Sequence, residues 1–164
     1  MNLYVTSGSP IISASNVDDD NLSRNIWWAS QLLSSAVAFK DKKLHRKKNL
    51  INVSATNHPI TRWVRENQSN FIWTVIHGLA LMNLYEKNHS KIPILGSHIM
   101  TASKLHHLFP EGDVTMFHDM TNVKDARLDI FDRYKCLMSN EWDNSPKQPT
   151  WKNREVPSFW GKFK

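Results

Sequence analysis

Asn57-His58-Pro59-Ile60-Thr61-Arg62-Trp63-Val64-Arg65-Glu66-Asn67-Gln68-Ser69-Asn70-Phe71-Ile72-Trp73 reads as the opening of a central helix. At about 100° per residue, His58, Arg62, Arg65, Glu66, Ser69, Asn70, Trp73 and His77 fall within about 140° of arc. Ile60, Trp63, Val64, Phe71, Ile72, Val75 and Leu79 lie roughly opposite and form the predicted core stripe. A solvated helix face usually carries Lys, Glu and Gln in pairs four residues apart, whereas this one carries two Arg, two His, Asn, one acid and Trp. Two readings follow: a binding face, or a solvated face with one snorkelling Trp and an ordinary Arg62–Glu66 pair. Asn57 or His58 can cap the helix with Pro59 in its first turn, and the apolar pattern continues to about Tyr85, with room for a break near Asn67 to Asn70.

Outward from this segment, the rest of the chain is also mostly helical in pattern. Met1 to Thr6 suits a short extended segment or strand ending at the Ser7-Gly8-Ser9-Pro10 turn. Asp18, Asp19 and Asp20 precede a helix of about Asn21 to Phe39 with the stripe Leu22, Ile26, Ala29, Leu33, Ala36 and Val37. Three adjacent carboxylates could hold a divalent cation, but adjacent side chains diverge and charge stabilisation of the helix start accounts for them. Ser97 can cap a short helix through Leu108, and Asp125 opens a last helix to about Trp142 with Leu128, Ile130, Phe131, Tyr134, Leu137 and Met138 inward. His106, His107, His118 and Asp119 lack the spacing that sets two ligands on one helix face, so neither a metal nor a cofactor is read from them. The expectation is one mainly α domain spanning 1–164, with four to five helices and at most a short N-terminal strand.

The chain has 164 residues, and its 40% apolar content describes a globular protein with a real core. No window approaches the roughly 18 apolar residues of a membrane span. The absence of a secretory leader pattern and the single Cys136 point to a reducing cytosol. Net charge is +6, concentrated in two places. Six of the nine residues from Lys40 to Lys48 are Lys or Arg, within a predicted loop at 40–50 containing Lys42, Lys43, Arg46, Lys47 and Lys48. Lys147, Lys152, Arg154, Lys162 and Lys164 are interleaved with Trp151, Phe159, Trp160 and Phe163 in the tail at 145–164. Such clusters suit nucleic acid, since phosphates reward cations through counterion release and exposed aromatics stack on unpaired bases. The alternatives are a solvated loop after a helix, and tail aromatics that clasp the core.

The order of motifs resembles a group of small bacteriophage proteins. The matching pieces are Met1-Asn2-Leu3-Tyr4-Val5, Asp19 to Ser34 with Gln31-Leu32-Leu33-Ser34, His58-Pro59, Trp63-Val64-Arg65-Glu66, Asn70-Phe71, Trp73, and Trp151-Lys152-Asn153-Arg154-Glu155-Val156-Pro157 with Trp160. That group is in turn similar to the phage pyrimidine-dimer DNA glycosylases with lyase activity, small basic all-α enzymes that cut damaged DNA. The resemblance implies an amine that attacks the sugar carbon and an acid that manages protons. In those enzymes the amine is a processed N-terminal residue and the acid a Glu of the first helix. Asn2 is too bulky for usual removal of Met1, so the implied nucleophile is the Met1 amine, with a pKa near about 8. Trp28 stands where the group has its Glu, and Asp20-Asn21 replaces a Lys-His pair, which leaves Glu66 as the acid inside the matched block.

Three functions are consistent with these features. The first is a phage DNA-processing protein of the base-excision class, with Glu66 as acid or base, His58, Arg62, Arg65, Asn70, Trp73, Lys152 and Arg154 on DNA, and a tryptophan filling the vacated base position. The second is a non-catalytic nucleic-acid-binding module. The third is a phage protein that binds and redirects a host protein through an exposed Trp and Arg surface.

Overall fold

Side-chain caps and prolines set where the helices begin. The computed structural model describes residues 2–163, with α1 at Pro10–Ser15, α2 at Leu22–Lys40, α3 at Lys42–Lys47, α4 at Pro59–Val64, α5 at Gln68–His89, α6 at Gly96–Ser103 and α7 at Ile130–Asp143. Proline occupies the first turn of α1 and of α4, where its missing N–H costs nothing. Asp41 Oδ1 accepts from the Leu44 N–H at 2.9 Å to start α3, and Asp129 Oδ1 accepts from the Asp132 N–H at 2.8 Å to start α7. The protein is mainly α, as its apolar periodicity predicts, with seven α-helices among the described residues rather than four or five.

Two of the extra helices come from one predicted helix and one predicted loop. Asn67 caps α5 by accepting from the Asn70 N–H at 2.9 Å, so the central helix is interrupted and α4 and α5 are separate rods. The basic segment expected as a loop is instead the helix α3. It is anchored by the buried His45, whose Nε2 lies 2.9 Å from Ser34 Oγ of α2 and 3.2 Å from the Ile51 carbonyl. The N-terminal segment is buried from Leu3 to Thr6 but forms no strand among the described residues: Tyr4 turns the chain at φ +46°, and its carbonyl accepts from the Thr6 N–H at 2.9 Å.

α5 is the hub, packed against α1, α2 and α6. Gly78 permits that approach: a Cβ there would meet Ile99 Cδ1 at 2.9 Å and Ala29 Cβ at 3.3 Å. Because three helices surround it, α5 buries polar and apolar residues alike. Asn70, Trp73 and His77 point inward, whereas Ile72 and Leu79, expected in the core, are 37% and 38% exposed. Trp73 Nε1 donates to the Gly8 carbonyl at 2.7 Å, and His77 Nδ1 lies 3.1 Å from the Pro10 carbonyl, which ties α1 to α5.

The tail closes the opposite side as a clasp. Trp142 of α7 packs edge-on to Trp151 at 4.9 Å and stacked with Phe159 at 5.7 Å. Each acid before α2 serves a different partner: Asp18 accepts from Trp142 Nε1 at 3.0 Å, Asp19 from Arg154 Nη2 at 2.7 Å, and Asp20 pairs with Lys147 at 2.8 Å. Burial alone would raise the Asp19 carboxyl, but donors from Arg154, Lys152 and Thr150 hold it below its ordinary range. Among the described residues, no helix is long and apolar enough to cross a membrane.

Full burial of His77 pushes its pKa from 6.5 down to about 4. The folded state therefore keeps the ring neutral where the unfolded chain protonates, and this contribution is complete above about pH 6.5 and lost as pH falls toward about 4. Stability in urea unfolding is expected to change little between about pH 7 and about 6.5 and then to fall by roughly 1.4 kcal/mol per pH unit down to about pH 4.5, a slope that His77→Gln removes. An unchanged slope in that variant would contradict the assignment.

Candidate nucleic-acid interface

The polar residues around the α4–α5 junction act mainly as a staple. Asn70 is fully buried; its Nδ2 donates to the Trp63 carbonyl and to Thr115 Oγ1, both at 2.8 Å, and its Oδ1 accepts from the Thr115 N–H at 3.0 Å. Glu66 is exposed and accepts from Thr115 Oγ1 at 3.0 Å. Asn67 Nδ2 donates to the Asp113 carbonyl at 3.0 Å, and the Gln68 N–H to the Pro110 carbonyl at 2.8 Å. Together these bonds hold the long segment between Phe109 and Asp129 against the helix junction. The proposed wall of Glu66, Asn70 and Trp73 is therefore not formed: Asn70 and Trp73 are buried, their side chains bonded to the Trp63 and Gly8 carbonyls, and do not face solvent beside the exposed Glu66. His58 caps α4 through Nδ1, which lies 3.3 Å from the Ile60 N–H, and burial lowers its pKa. Met1 lies outside the described residues.

The tail cations divide between structure and surface. Arg154 is held inside the clasp, its guanidinium donating to the Ser15 carbonyl and Asp19, so it is not available to phosphate. Lys152 donates its backbone N–H to Asp19 at 2.7 Å, while the residue as a whole is exposed.

The predicted site residues that do come together lie around the α2–α3 corner. Lys42, Lys43, Arg46, Lys47 and Lys48 are all exposed on or beside α3. Beside them is a groove of about 590 Å³ whose walls include Phe39, Lys42, His45, Arg46, Val53 and Thr56. Arg65 reaches this groove from the end of α4: its guanidinium carbon lies 3.5 Å from the centre of the Phe39 ring, and Nη1 donates to the Thr56 carbonyl at 2.6 Å. Burial and the neighbouring Arg62 both lower Arg65 below its usual pKa, so charge is held there against repulsion. Between Asp41 and Glu66 the sequence contains no acid. Among the described residues, none of Lys42, Lys43, Arg46, Lys47, Lys48, Arg62 or Arg65 joins an ion pair, although five pairs form elsewhere.

Such a surface can take an extended anion, with Phe39 and Val53 as apolar floor. The sequence reading did not include Phe39, His45 or Val53. Phe39 had a visible signal, a large aromatic at the polar end of a helix next to six cations, whereas His45 and Val53 are placed by folding of the corner.

No protein-family model, curated protein or solved structure matches the chain. The staple is checked by substitution. Asn70→Ala strands buried backbone groups and is expected to lower stability by about 2–4 kcal/mol, whereas Glu66→Gln keeps an acceptor for Thr115 and is expected to change it by less than about 1 kcal/mol. Equal losses in urea unfolding would overturn this division of roles.

Proposed function

We propose that this chain binds DNA through the α2–α3 corner and belongs to the base-excision class of phage DNA-interacting proteins. One observation supports the binding: seven exposed or half-exposed cations stand on α3, its flank and the end of α4, with Lys42 and Arg46 lining the groove and Arg65 reaching its wall, and none joins an ion pair among the described residues. Unpaired like charges within a screening length of about 10 Å repel one another, and a polyanion relieves that repulsion. Phe39 under Arg65 supplies a flat apolar surface beside the phosphate path.

A salt titration tests the reading. Affinity for duplex DNA is expected to fall steeply with salt, with a log–log slope of about −0.9 per phosphate contacted. Replacing Lys42, Arg46 and Lys47 together by Gln is expected to flatten that slope by roughly 2 to 3. A slope near zero in the natural chain, or an unaltered slope in the triple variant, would remove the groove from DNA binding.

The excision step is supported by the resemblance of the terminal and central motifs, and it requires an amine and an acid at the sugar. Borohydride trapping on abasic DNA is expected to yield a covalent adduct if the Met1 amine is the nucleophile. Salt-dependent binding without an adduct would favour the non-catalytic module.

A protein partner is a second reading, favoured by a different surface. Ile72, Ile76 and Leu79 form an exposed stripe on α5, and Ile11 and Ile12 of the adjoining α1 are exposed as well.

A further inference from the structure

At the far end of α2 from the basic groove lies a pocket of about 480 Å³ shared by the N-terminal segment, the start of α2 and the end of α7. Its principal walls are Tyr4, Asp18, Arg24, Trp28, Glu141 and Lys147. Chain positions far apart in sequence are bonded across it: Tyr4 donates its hydroxyl to Glu141 Oε2 at 2.8 Å, and Trp142 Nε1 donates to Asp18 at 3.0 Å. Tyr4 is buried and holds φ at +46°, a conformation that costs a non-glycine residue of order 1 kcal/mol and is found disproportionately at sites.

The lining has a distinct chemical signature. Trp28 provides an aromatic wall, with the Tyr4 ring 5.9 Å away and the Arg24 guanidinium 5.5 Å from the indole centre. The three carboxylates, Asp18, Asp20 and Glu141, bring acceptors and no donors of their own; Asp18 already accepts from Asn21 and Trp142 and Asp20 from Lys147, while Glu141 accepts from Tyr4 alone. Burial, first of all, pushes the Glu141 carboxyl above its usual range, so the group gains from a ligand donor or a proton. Arg24 and Lys147 stand at the rim as cations. A complementary ligand is flat, carries N–H donors and has an anion attached. A nucleotide with an amino-bearing base has all three features, and the pocket falls in the size range of about 300–1,000 Å³ that small-ligand sites occupy.

We propose that this pocket receives one unpaired, amino-bearing base of a bound DNA strand, stacked on Trp28, with its amino N–H donating a hydrogen bond to the Glu141 carboxylate and its phosphate on Arg24. The proposal rests on the DNA-binding reading and extends it, because pocket and groove stand at the two ends of α2. Between them Gln31 and Ser35 are buried beneath the segment carrying Ser54, so the two surfaces are separate openings rather than one continuous face. The rise from Arg24 to Phe39 is about 22 Å, roughly the length of six nucleotides of a strand at about 3.4 Å each. A strand that spans that distance from the phosphates held at α3 reaches Trp28.

The test compares the affinity of the full chain for two duplexes at fixed salt, one with a single central unpaired adenine and one with a stable abasic analogue at that position. The adenine duplex is expected to bind roughly 10-fold more tightly, the size of effect that stacking one base on an aromatic ring brings. Trp28→Ala, and the milder Glu141→Gln should the first fail to fold, are expected to cut that preference below about 3-fold while leaving the affinity for the abasic duplex unchanged. The α3 triple variant should instead weaken both duplexes by the same factor. Equal affinity of the natural chain for the two duplexes, or full preference in both pocket variants, would overturn the pocket assignment while leaving groove binding intact. If neither duplex binds, the DNA reading fails and calorimetry with AMP decides the pocket: saturable binding abolished by Trp28→Ala keeps it as a nucleotide site, and no binding removes it.

Discussion

The side-chain amide of Asn70 is the constraint on which most of this architecture depends. It is fully buried and makes three hydrogen bonds, to the last turn of α4 and to both the backbone and hydroxyl of Thr115. Each is worth about 1 kcal/mol net, but leaving the same groups buried and unpaired costs about 1–3 kcal/mol apiece. The junction is therefore held by the penalty for opening it. With α4 ended there, Trp63 meets Trp73 edge-on at 5.9 Å and both contact Phe117, a residue of the loop that Asn70 and Asn67 fasten. A local polar bond thus positions an aromatic cluster linking three segments of the chain.

A second constraint partitions charge along α2. The acids before its first turn are drawn into the clasp, where Asp18 and Asp19 take indole and guanidinium donors from α7 and the tail. At its other end, Asp41 is used as the cap of α3 and nothing acidic follows until Glu66. One helix consequently separates an acceptor-rich pocket from an anion-seeking groove. The two surfaces offer opposite chemistry, carboxylate acceptors at one end and unpaired cations at the other, and it is this contrast along one helix that the proposed DNA binding uses at both ends.

What was legible in the sequence was what is decided locally. The α2 stripe of Leu22, Ile26, Ala29, Leu33, Ala36 and Val37 is wholly buried, because a helix packed on one main face displays its period directly. Trp63 belongs to the core and the tail aromatics form a clasp, one of the two roles their composition allowed. The orientation of α5 was not legible. Asn70, Trp73 and His77 look like surface residues until the backbone groups they satisfy, at Trp63, Gly8 and Pro10, are brought beside them by folding. The helix α3 was hidden for a related reason: six residues rich in lysine have little stability alone, and an Asp cap with one buried His supplies it. The Tyr4–Glu141 contact spans 137 positions and no pattern of spacing could have announced it.

Charge placement also bears on whether the basic corner is incidental. A solvated helix in a structural role gains from alternating signs, since each pair three or four residues apart contributes a few tenths of a kcal/mol and like charges cost as much. α3 and its flanks decline that gain: Lys42, Lys43, Arg46, Lys47 and Lys48 have no acid among them. The nearest acid, Asp41, caps the helix and joins no ion pair among the described residues. Elsewhere the same chain pairs its charges readily, as Arg127 with Asp125, Arg133 with Asp119 and Lys135 with Asp132 show. The contrast within one molecule sets the corner apart from a generally basic composition, because the unpaired cations converge on one groove while α7 and its flanks are neutralised. A net charge of +6 is thus concentrated at the corner where Arg65 lies over Phe39, which is the charge placement that the proposed DNA binding requires.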